Sequence, residues 1–387
     1  MEYVKLSTLT LSAITGLDAI KRAPIIDEDT GLKCIRIQDI SQNKDFLNWG
    51  NTKVSLSDYK KTKLLKNDIL VARTGATVGV SYYVKDNLES VFNNGTIRLR
   101  LDTKKISPYL VYCIFQTKEF RQYIDNISCV ATQPNLRISG LLRYFIPVFD
   151  EKSQMKISLI INNYDQLIEN NNKRIKILEQ MAENLYKEWF AYEKIKDISK
   201  EVRLKEIISI IRGISYTTEE IETEEGTNLV NLKNIQAYGG FRRDGLKLYA
   251  GKYKKEQIVS CGDLIMGVTD MTQDRRTVGY VALVPQVEGI SVISADLIRI
   301  SSPIPNVFLY AMFKYGNVSK YISQFANGAN VLHLKPQAIL GIKILLPQQT
   351  LIDKYVNIAS KFFNEIEYLS QMNCNLTKQR DMLLPRL

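Results

Sequence analysis

The sequence predicts an α+β protein built as two copies of one unit, each a globular domain followed by a long helix. Three observations predict this fold class. The chain has 387 residues, enough for two or three domains. Short motifs recur in the same order about 198 residues apart. Each copy ends in a stretch with the apolar spacing of a coiled-coil helix. Hydrophobic residues make up 45% of the chain, which argues against disorder.

The internal repeat consists of short matches that keep one order and nearly one spacing. A period this long exceeds that of solenoid repeats, so it indicates a tandem duplication with pseudo-twofold character. The predicted boundaries are 1–149 for the first domain, 150–198 for the first helix, 199–346 for the second domain and 347–387 for the second helix. The matches include Val4–Leu6 with Val202–Leu204, Gly31–Ile40 with Gly226–Ile235, Thr77–Gly79 with Thr277–Gly279, and Ile146–Pro147 with Leu346–Pro347.

Within each domain, β-branched and aromatic residues bounded by Gly and Asp or Asn predict short strands. These strands are expected at 68–72 and 79–84 in the first copy, and at 263–266 and 279–284 in the second. Apolar residues at helical spacing predict an amphipathic surface helix in each domain. The two surface helices are expected over Pro108–Arg121 and Asn306–Gln324.

The two long helices each carry a stripe of residues, here called the seam, that predicts an antiparallel coiled coil. In the first helix the seam steps alternately by four and three residues, whereas the second is less regular near Leu369. Antiparallel pairing would place Asn171 and Asn373 within one helical turn of each other. The seam residues are Ile157, Ile161, Tyr164, Ile168, Asn171, Ile175, Leu178, Leu185 and Trp189 in the first helix, and Ile352, Val356, Phe363, Ile366, Asn373, Leu376 and Leu383 in the second.

The alternative is that each helix packs only on its own domain. The stretch from residue 157 to residue 189 would span about 50 Å as a helix, whereas a compact domain of this size is about 35–40 Å across. This excess length favours pairing of the two helices with each other.

The basic charge of the chain is concentrated in the two predicted domains. The formal net charge is +11, of which the domains carry +7 and +4 and the helices −1 and +1. A basic balance favours an acidic partner such as nucleic acid, although many soluble proteins carry as much charge. We find neither an apolar run long enough to span a membrane nor an N-terminal signal pattern, so we expect a cytoplasmic protein without membrane association.

The residues needed for catalysis or metal binding are sparse. The chain has one histidine, His333, and five scattered cysteines without a C-x-x-C pair, so neither a zinc site nor a disulfide framework is expected. The loop from Gly75 to Gly79 lacks the Lys-Ser/Thr of a P-loop. The carboxylates of residues 219–225 are typical of a solvated loop. We therefore expect no catalytic residues, no metal and no cofactor in this chain.

Two polar loops occupy matching places in the two copies and are candidates for contact with DNA. Small residues, hydroxyls and guanidinium groups suit close approach to phosphates, whereas Asn, Gln and Arg can pair with base edges. Each residue taken alone could equally belong to an ordinary polar turn. The candidates are Arg73, Thr74, Gly75, Thr77, Gln133, Asn135 and Arg137 in the first copy, and Thr269, Gln273, Arg275, Arg276, Asn327, Asn330 and His333 in the second.

The helices also carry the residues of a family resemblance. The runs Tyr144–Pro147, Leu167–Phe190 and Leu376–Leu387 resemble the conserved regions of the specificity subunit of Type I restriction–modification systems. The segment Asp68–Gly79 resembles that family's strand followed by a Gly loop. One departure is Leu346–Gln349, which lacks the usual doubled proline and acidic pair and leaves the start of the second helix open.

The resemblance implies a function. Each domain would be a target recognition domain that reads one half of an asymmetric, bipartite double-stranded DNA site, and the helices would set the spacing of the half-sites. The family subunit is not itself an enzyme. It recruits two methyltransferase subunits, which use S-adenosylmethionine to methylate adenine at N6, and restriction subunits that cleave DNA with ATP and Mg²⁺.

Two alternatives remain open at this stage. The chain could be a protein–protein scaffold with two adaptor domains on a coiled coil and no DNA function. It could also be a solitary specificity protein that regulates a methyltransferase by competition. The concentration of basic charge in the two domains argues mildly against the first.

Overall fold

The computed structural model describes residues 2–42, 44–75, 77–128, 135–221 and 223–383. The chain divides into two compact units. Met1–Glu169 and Cys374–Leu387 form the first unit, and Asn170–Asn373 form the second. Each unit therefore contains one globular domain and a portion of both long helices.

The first domain combines two four-stranded sheets and one two-stranded sheet, formed by its first and last strands, with short helices. Its four-stranded sheets have the strand orders β2-β9-β6-β7 and β3-β5-β4-β8. A 3₁₀ turn spans Phe46–Asn48. The strands are β1 (Glu2–Lys5), β2 (Thr10–Thr15), β3 (Ile25–Ile26), β4 (Lys33–Ile35), β5 (Gly50–Thr52), β6 (Ile69–Ala72), β7 (Ser81–Tyr83), β8 (Ser90–Phe92), β9 (Thr96–Leu101) and β10 (Phe145–Val148). The helices are α1 (Leu6–Leu9), α2 (Ile37–Ser41), α3 (Leu56–Thr62), α4 (Pro108–Ile114), α5 (Lys118–Ser128) and α6 (Ile138–Leu141), and the long helix α7 (Glu151–Phe190) follows.

The second domain begins after a short helix, α8 (Tyr192–Ile195), and has 3₁₀ turns at 204–206, 232–234, 243–245 and 255–257. Its larger sheets have the orders β12-β20-β16-β18 and β14-β13-β19-β15. The strands are β11 (Lys200–Arg203), β12 (Ser209–Arg212), β13 (Thr227–Val230), β14 (Lys247–Tyr249), β15 (Ile258–Val259), β16 (Leu264–Gly267), β17 (Thr269–Asp270), β18 (Val281–Leu283), β19 (Ser291–Ile293), β20 (Leu297–Ser301), β21 (Leu332–His333) and β22 (Lys343–Leu346). The helices are α9 (Asn306–Tyr315), α10 (Val318–Ser323) and α11 (Pro336–Leu340), and the long helix α12 (Gln349–Leu383) follows.

The two domains share one plan, which confirms the duplication. In each, the first and last strands pair antiparallel and close the domain, with Val4 opposite Ile146 in one and Val202 opposite Ile344 in the other. Each also contains one parallel strand pair, β4 with β8 and β13 with β19, flanked by an equivalent antiparallel strand. The four strands predicted from apolar runs form as β6, β7, β16 and β18.

The predicted surface helices are each divided in two. In the second domain the break falls at Gly316 and Asn317, where Asn317 adopts a left-handed φ of 61° that a continuing helix cannot accommodate. In the first domain α4 begins with Ser107 as its N-cap and ends before residues 115–117, after which α5 starts. The prediction of one continuous helix per domain was wrong.

The expected surface position was also wrong for the first helix of each pair. In α4, five of the seven residues are buried. Every residue of α9 from Phe308 to Phe313 is buried. The reason is that α7 and α12 both contribute side chains to the core in which α9 lies, so this helix is enclosed rather than amphipathic. By contrast, α5 in the first domain buries only Phe120, Ile124 and Ser128 and has a polar opposite face.

The two long helices run antiparallel where they meet in the second unit. Asn171 donates from Nδ2 to Oδ1 of Asn373 at 2.9 Å, and Trp189 packs edge-on against Tyr355 near the other end of the contact. The predicted juxtaposition of the two asparagines is confirmed. Asn171 is buried, and the side chain of Asn373 gives its amide a hydrogen-bond partner. An apolar residue at that position would leave the amide without one.

In the first unit α7 also packs on the domain that precedes it. Its first turn is capped by Asp150, which accepts a hydrogen bond from the backbone N–H of Ser153 at 3.0 Å. Seam residues Ile157 and Ile161 then lie against Cys113 of α4. Packing on the domain and pairing of the helices therefore occur together, because different stretches of one helix make each contact.

Polar contacts in the first unit fix the last turns of α12. Arg380 donates to the carboxylate of Asp165 on α7 at 2.7 Å, and the same carboxylate accepts the hydroxyl of Tyr109 from α4. One acidic side chain thus connects the two long helices with the first domain.

Three large aromatic side chains on the long helices are buried beside the predicted seam. Tyr186 and Phe190 of α7 and Tyr355 of α12 pack on one another and on Phe308 of α9. They are not part of the predicted seam because each lies one position away from a seam residue, on the side of the helix that faces the second domain. α7 ends at Phe190, earlier than the predicted boundary at 198, since Ala191 takes an extended conformation with ψ of 136°.

In the part of the chain that the structure describes, no helix combines the length and apolarity needed to cross a membrane. The same residues contain no group of three or more His, Cys, Asp or Glu side chains arranged to hold a metal ion.

Replacing Tyr355 by Ala should lower the free energy of unfolding by about 3–5 kcal/mol, because a fully buried aromatic ring is removed from a packed cluster. Tyr368→Ala on the same helix is the matched control. Its side chain is 59% exposed, and the change should stay within about 0.5 kcal/mol. Urea unfolding followed by circular dichroism measures both, and equal effects of the two substitutions would contradict the packing described.

A double-mutant cycle of Asn171→Ala and Asn373→Ala should give a coupling energy of about 1 kcal/mol, the net value of a partly buried amide hydrogen bond. The exposed pair Gln180 and Asn184, which also forms a 2.9 Å hydrogen bond, is the control and should couple by less than about 0.5 kcal/mol. Chemical denaturation of the four proteins in each cycle measures the coupling. Indistinguishable cycles would show that the asparagine pair does not fix the helix register.

Candidate DNA-recognition loops

The structure brings the two predicted loops of the first domain together. The backbone N–H of Leu136 donates to the carbonyl of Arg73 at 2.8 Å, and Nε of Arg73 donates to Oδ1 of Asn135 at 3.1 Å. Thr74 and Asn135 also form an antiparallel bridge. Residues 62 positions apart in sequence therefore form one polar surface at the end of β6.

Backbone geometry explains the small residues in this loop. Gly75 has a φ of +81° and Gly79 a φ of +86°, both in the region that favours glycine. A Cβ on Gly79 would lie 2.8 Å from Ile124, so the loop must return tightly against α5. Asn135 and Arg137 are exposed, whereas Arg73, Thr74 and Thr77 are half-buried and Leu136 anchors the second loop in the core. Gln133 lies outside the described residues.

The second domain repeats the same backbone contact with different side chains. The N–H of Leu334 donates to the carbonyl of Val268 at 2.8 Å, at the positions that match Leu136 and Arg73. Here the contact extends into the strand pair β17–β21, with Thr269 opposite His333. His333 was expected in a loop. It lies instead in a short strand, because the longer loop leaves enough chain to form a second pairing.

One side chain joins the two loops of the second domain, and backbone hydrogen bonds close the second loop on itself. Nε2 of Gln273 donates to the carbonyl of Ala329 at 2.9 Å, and Asn327 and His333 exchange backbone hydrogen bonds of 3.0 and 2.9 Å. The side chains of Gln273, Arg276, Asn327, Asn330 and His333 are exposed and that of Arg275 is half-buried. Arg276 forms an ion pair with Asp274, which holds its guanidinium near the loop.

Thr269 does not belong with the candidate contact residues. It is buried, and its hydroxyl donates to Asp296 at 3.0 Å, so its oxygen is not presented to solvent. Its place in the repeat could be read from the sequence. Its burial could not, because it follows from strand pairing with a segment 64 residues away.

Asp270 organises the second-domain loop and was not among the predicted contact residues. Its side chain is 2% exposed. One oxygen accepts the backbone N–H and the hydroxyl of Thr272, both at 2.8 Å, and the other accepts the N–H of Thr277 at 2.7 Å and of Val278 at 3.3 Å. A single carboxylate thus closes the loop 271–276. The pattern Asp-x-Thr is a signal that could have found it, since Asp often bonds the backbone two residues on.

The charge state of Asp270 follows from the same contacts. Burial alone would raise its pKa, but the hydrogen bonds from the N–H groups of Thr277 and Thr272 and from their hydroxyls lower the pKa below the usual 3.8. The ionised form is therefore the one that the loop is built around at neutral pH.

Replacing Asp270 by Asn should loosen the loop, because the amide loses the charge and at least one acceptor position while its NH₂ faces backbone donors. The expected loss is about 1.5–3 kcal/mol of local stability. Amide hydrogen exchange of residues 271–278 measures it as reduced protection factors. Asp244→Asn, in an exposed ion pair with Arg242 in the same domain, is the control and should leave these amides unchanged.

The pH dependence gives a second readout of the same prediction. The pKa of Asp270 is lowered on folding, so its contribution is fully present above about pH 4 and is lost as pH falls through the folded-state pKa. Wild-type protection of residues 271–278 should fall at acidic pH, whereas that of Asp270→Asn should already be low at neutral pH. Identical profiles would refute the role given to this carboxylate.

The loop surfaces have the composition expected of a nucleic-acid contact. Both present amide and guanidinium groups on a fixed backbone. Amides and guanidinium groups suit hydrogen bonding to base edges and phosphates, and so suit recognition rather than catalysis.

Comparison with known proteins identifies the family. The sequence profile described as the Type I restriction modification DNA specificity domain matches residues 18–180. The Type I restriction enzyme MjaIX specificity subunit of Methanocaldococcus jannaschii is 26% identical over 309 residues, which cover 73% of this chain and 68% of that protein. The HindI specificity subunit of Haemophilus influenzae is 22% identical over 425 residues, which cover 91% of this chain and 92% of that one.

A solved structure shares the fold. The crystal structure of a Type I restriction–modification S subunit from M. genitalium superposes with a TM-score of 0.57 at 17% identity and covers 99% of this chain and 94% of that chain. The duplicated domains, the long helices and these relatives agree. The chain contains the Type I restriction modification DNA specificity domain over residues 18–180 and is similar along most of its length to specificity subunits of these systems.

Proposed function

We propose that each domain reads one half of an asymmetric, bipartite DNA site through its pair of loops. The observation that carries the proposal is a backbone hydrogen bond that joins the two loops in each domain, here called the clasp. It runs from the N–H of Leu136 to the carbonyl of Arg73 in one domain and from Leu334 to Val268 in the other. Different polar side chains surround the clasp in the two domains. One scaffold with two different contact surfaces suits two different half-sites. The chain itself, as a specificity subunit, is not an enzyme.

In the first domain the exposed amide of Asn135 and the guanidinium groups of Arg73 and Arg137 are the groups suited to base edges. Asn pairs in a bidentate manner with adenine and Arg with guanine. The hydrogen bond between Arg73 and Asn135 restrains both side chains before DNA binds and so reduces the entropy lost on binding.

In the second domain the contact surface is longer and richer in amides. Gln273, Asn327 and Asn330 offer paired donors and acceptors, whereas Arg275 and Arg276 suit phosphates or guanine. His333 supplies a further exposed donor or acceptor on β21. Because Asp270 fixes the loop, the specificity of this half-site depends on a residue that cannot itself reach DNA.

The long helices set the spacing of the half-sites and recruit the catalytic subunits in this proposal. Two methyltransferase subunits would bring S-adenosylmethionine and methylate adenine at N6, with the target base flipped into their pockets. Restriction subunits would complete the assembly with ATP and Mg²⁺. The assembly would act in the cytoplasm. The association with DNA and with methyltransferase subunits follows the family, and the stoichiometry and cofactors are part of the proposal.

Replacing the contact residues of one domain by Ala tests which half-site that domain reads. Asn135→Ala with Arg137→Ala should relax or change the first half of the methylated sequence and leave the second half intact, with losses of about 1–3 kcal/mol per base contact. Gln273→Ala with Asn330→Ala should do the reverse. The chain is co-expressed with its methyltransferase partner, and methylated adenines are mapped by single-molecule sequencing.

The control is Lys247→Ala with Lys252→Ala, remote in sequence from both loops of the second domain. It should leave both half-sites unchanged. If either loop variant changes both half-sites equally, or changes neither half-site, the claim that each domain reads one half-site is refuted.

A further inference from the structure

A basic groove on the first unit shares no residue with the loops. It has a volume of about 1080 Å³ and lies between the start of α7, the segment that precedes α4, and the end of β7. Five of its lining residues are lysines, and Glu151 is the one acidic residue among those described as lining it. The lysines are Lys66, Lys85, Lys104, Lys105 and Lys156.

Most of this charge is not neutralised by the protein itself. Lys85 pairs with Glu169, and Lys105 lies 3.9 Å from Asp102. Among the described residues, by contrast, Lys66, Lys104 and Lys156 form no ion pair, and all three side chains are exposed. A concave surface with three free ammonium groups attracts an anionic partner.

The groove is also apolar. Tyr83 and Tyr109 stack edge-on within it, with ring centroids 5.2 Å apart. Met155 and Leu159 project from α7 one turn apart and are 66% and 61% exposed. Two large exposed apolar residues at helical spacing, next to aromatic rings, suit the apolar face of a partner helix better than they suit a phosphate backbone.

The duplicated half provides an internal comparison. A smaller groove of the second unit has about 260 Å³ and has Cys261, Leu283 and Pro285 at the repeat positions of Lys66, Tyr83 and Lys85, but its helical wall is the middle of α12 rather than its start. Its one arginine, Arg243, is paired with Glu367 at 2.5 Å. The two grooves share some repeat positions but differ in size and in their helical walls, and the cluster of lysines lines only the groove of the first unit.

We propose that the groove of the first unit binds an acidic, amphipathic helix of a partner protein, one copy per chain. The apolar face of the helix would lie on Met155, Leu159 and the tyrosines, and its carboxylates would face Lys66, Lys104 and Lys156. The charge supplies orientation and association rate, and the apolar contact supplies most of the affinity.

The test uses the full chain and a designed, fluorescein-labelled peptide of about 16 residues, long enough to form a helix, with Leu on one face and Glu on the other. Fluorescence anisotropy should show one site per chain. Lys66→Glu with Lys104→Glu and Lys156→Glu should weaken binding by about tenfold or more, because attraction becomes repulsion. Met155→Ser with Leu159→Ser should also weaken it by about tenfold, without any change of charge.

Matched controls separate this site from general attraction to lysines. Lys252→Glu with Lys254→Glu and Lys255→Glu, exposed on the second domain, should change binding by less than about twofold. A peptide with every Leu replaced by Ser should bind about tenfold more weakly, since it keeps only the charge. Circular dichroism confirms that each variant is folded.

Three outcomes would overturn the proposal. They are two peptide sites per chain, equal binding of the Ser-substituted peptide, and displacement of the peptide by double-stranded DNA that depends on the same three lysines. The last would make the groove a DNA surface. None of these outcomes involves the recognition loops, so the test of this groove is independent of the test of DNA specificity.

Discussion

The structure of the second unit depends on α7 burying two faces at once. One face pairs with α12 through the seam and the buried Asn171–Asn373 amide contact. The adjacent face places Tyr186 and Phe190 into the core of the second domain, where they meet Tyr355 and α9. Because these faces are neighbours on one helix, the domain and the helix pair cannot pack independently. This constraint encloses α9 and fixes the strands on which the recognition loops end.

Duplication explains how two recognition surfaces can differ while their frame does not. The clasp between a strand end and a distant loop is made by backbone atoms in both domains, so it places few demands on the side chains around it. Side chains on the clasp are then free to vary. The first domain stabilises its loop with the contact between Arg73 and Asn135, and the second uses the buried carboxylate of Asp270.

Much of this architecture could be predicted from the sequence because it is encoded locally or by repetition. The repeat revealed two domains, the four-three apolar spacing revealed the seam, and an antiparallel seam placed Asn171 near Asn373. The sequence could not show that Tyr355 is fully buried or that α9 is enclosed, because both depend on packing between distant segments. The break at Gly316 and the Asp-x-Thr pattern at Asp270 were visible, but without the fold neither had an assigned role.

In the proposed function, two different loop surfaces on one scaffold read two different half-sites. The most direct measurement is the methylated sequence itself, determined by mapping N6-methyladenine in DNA from cells that co-express the chain with its methyltransferase partner. The account predicts one asymmetric motif of two short specific parts, separated by a gap of fixed length in which every base occurs. A continuous motif, a palindrome with identical halves, or a gap of variable length would contradict it.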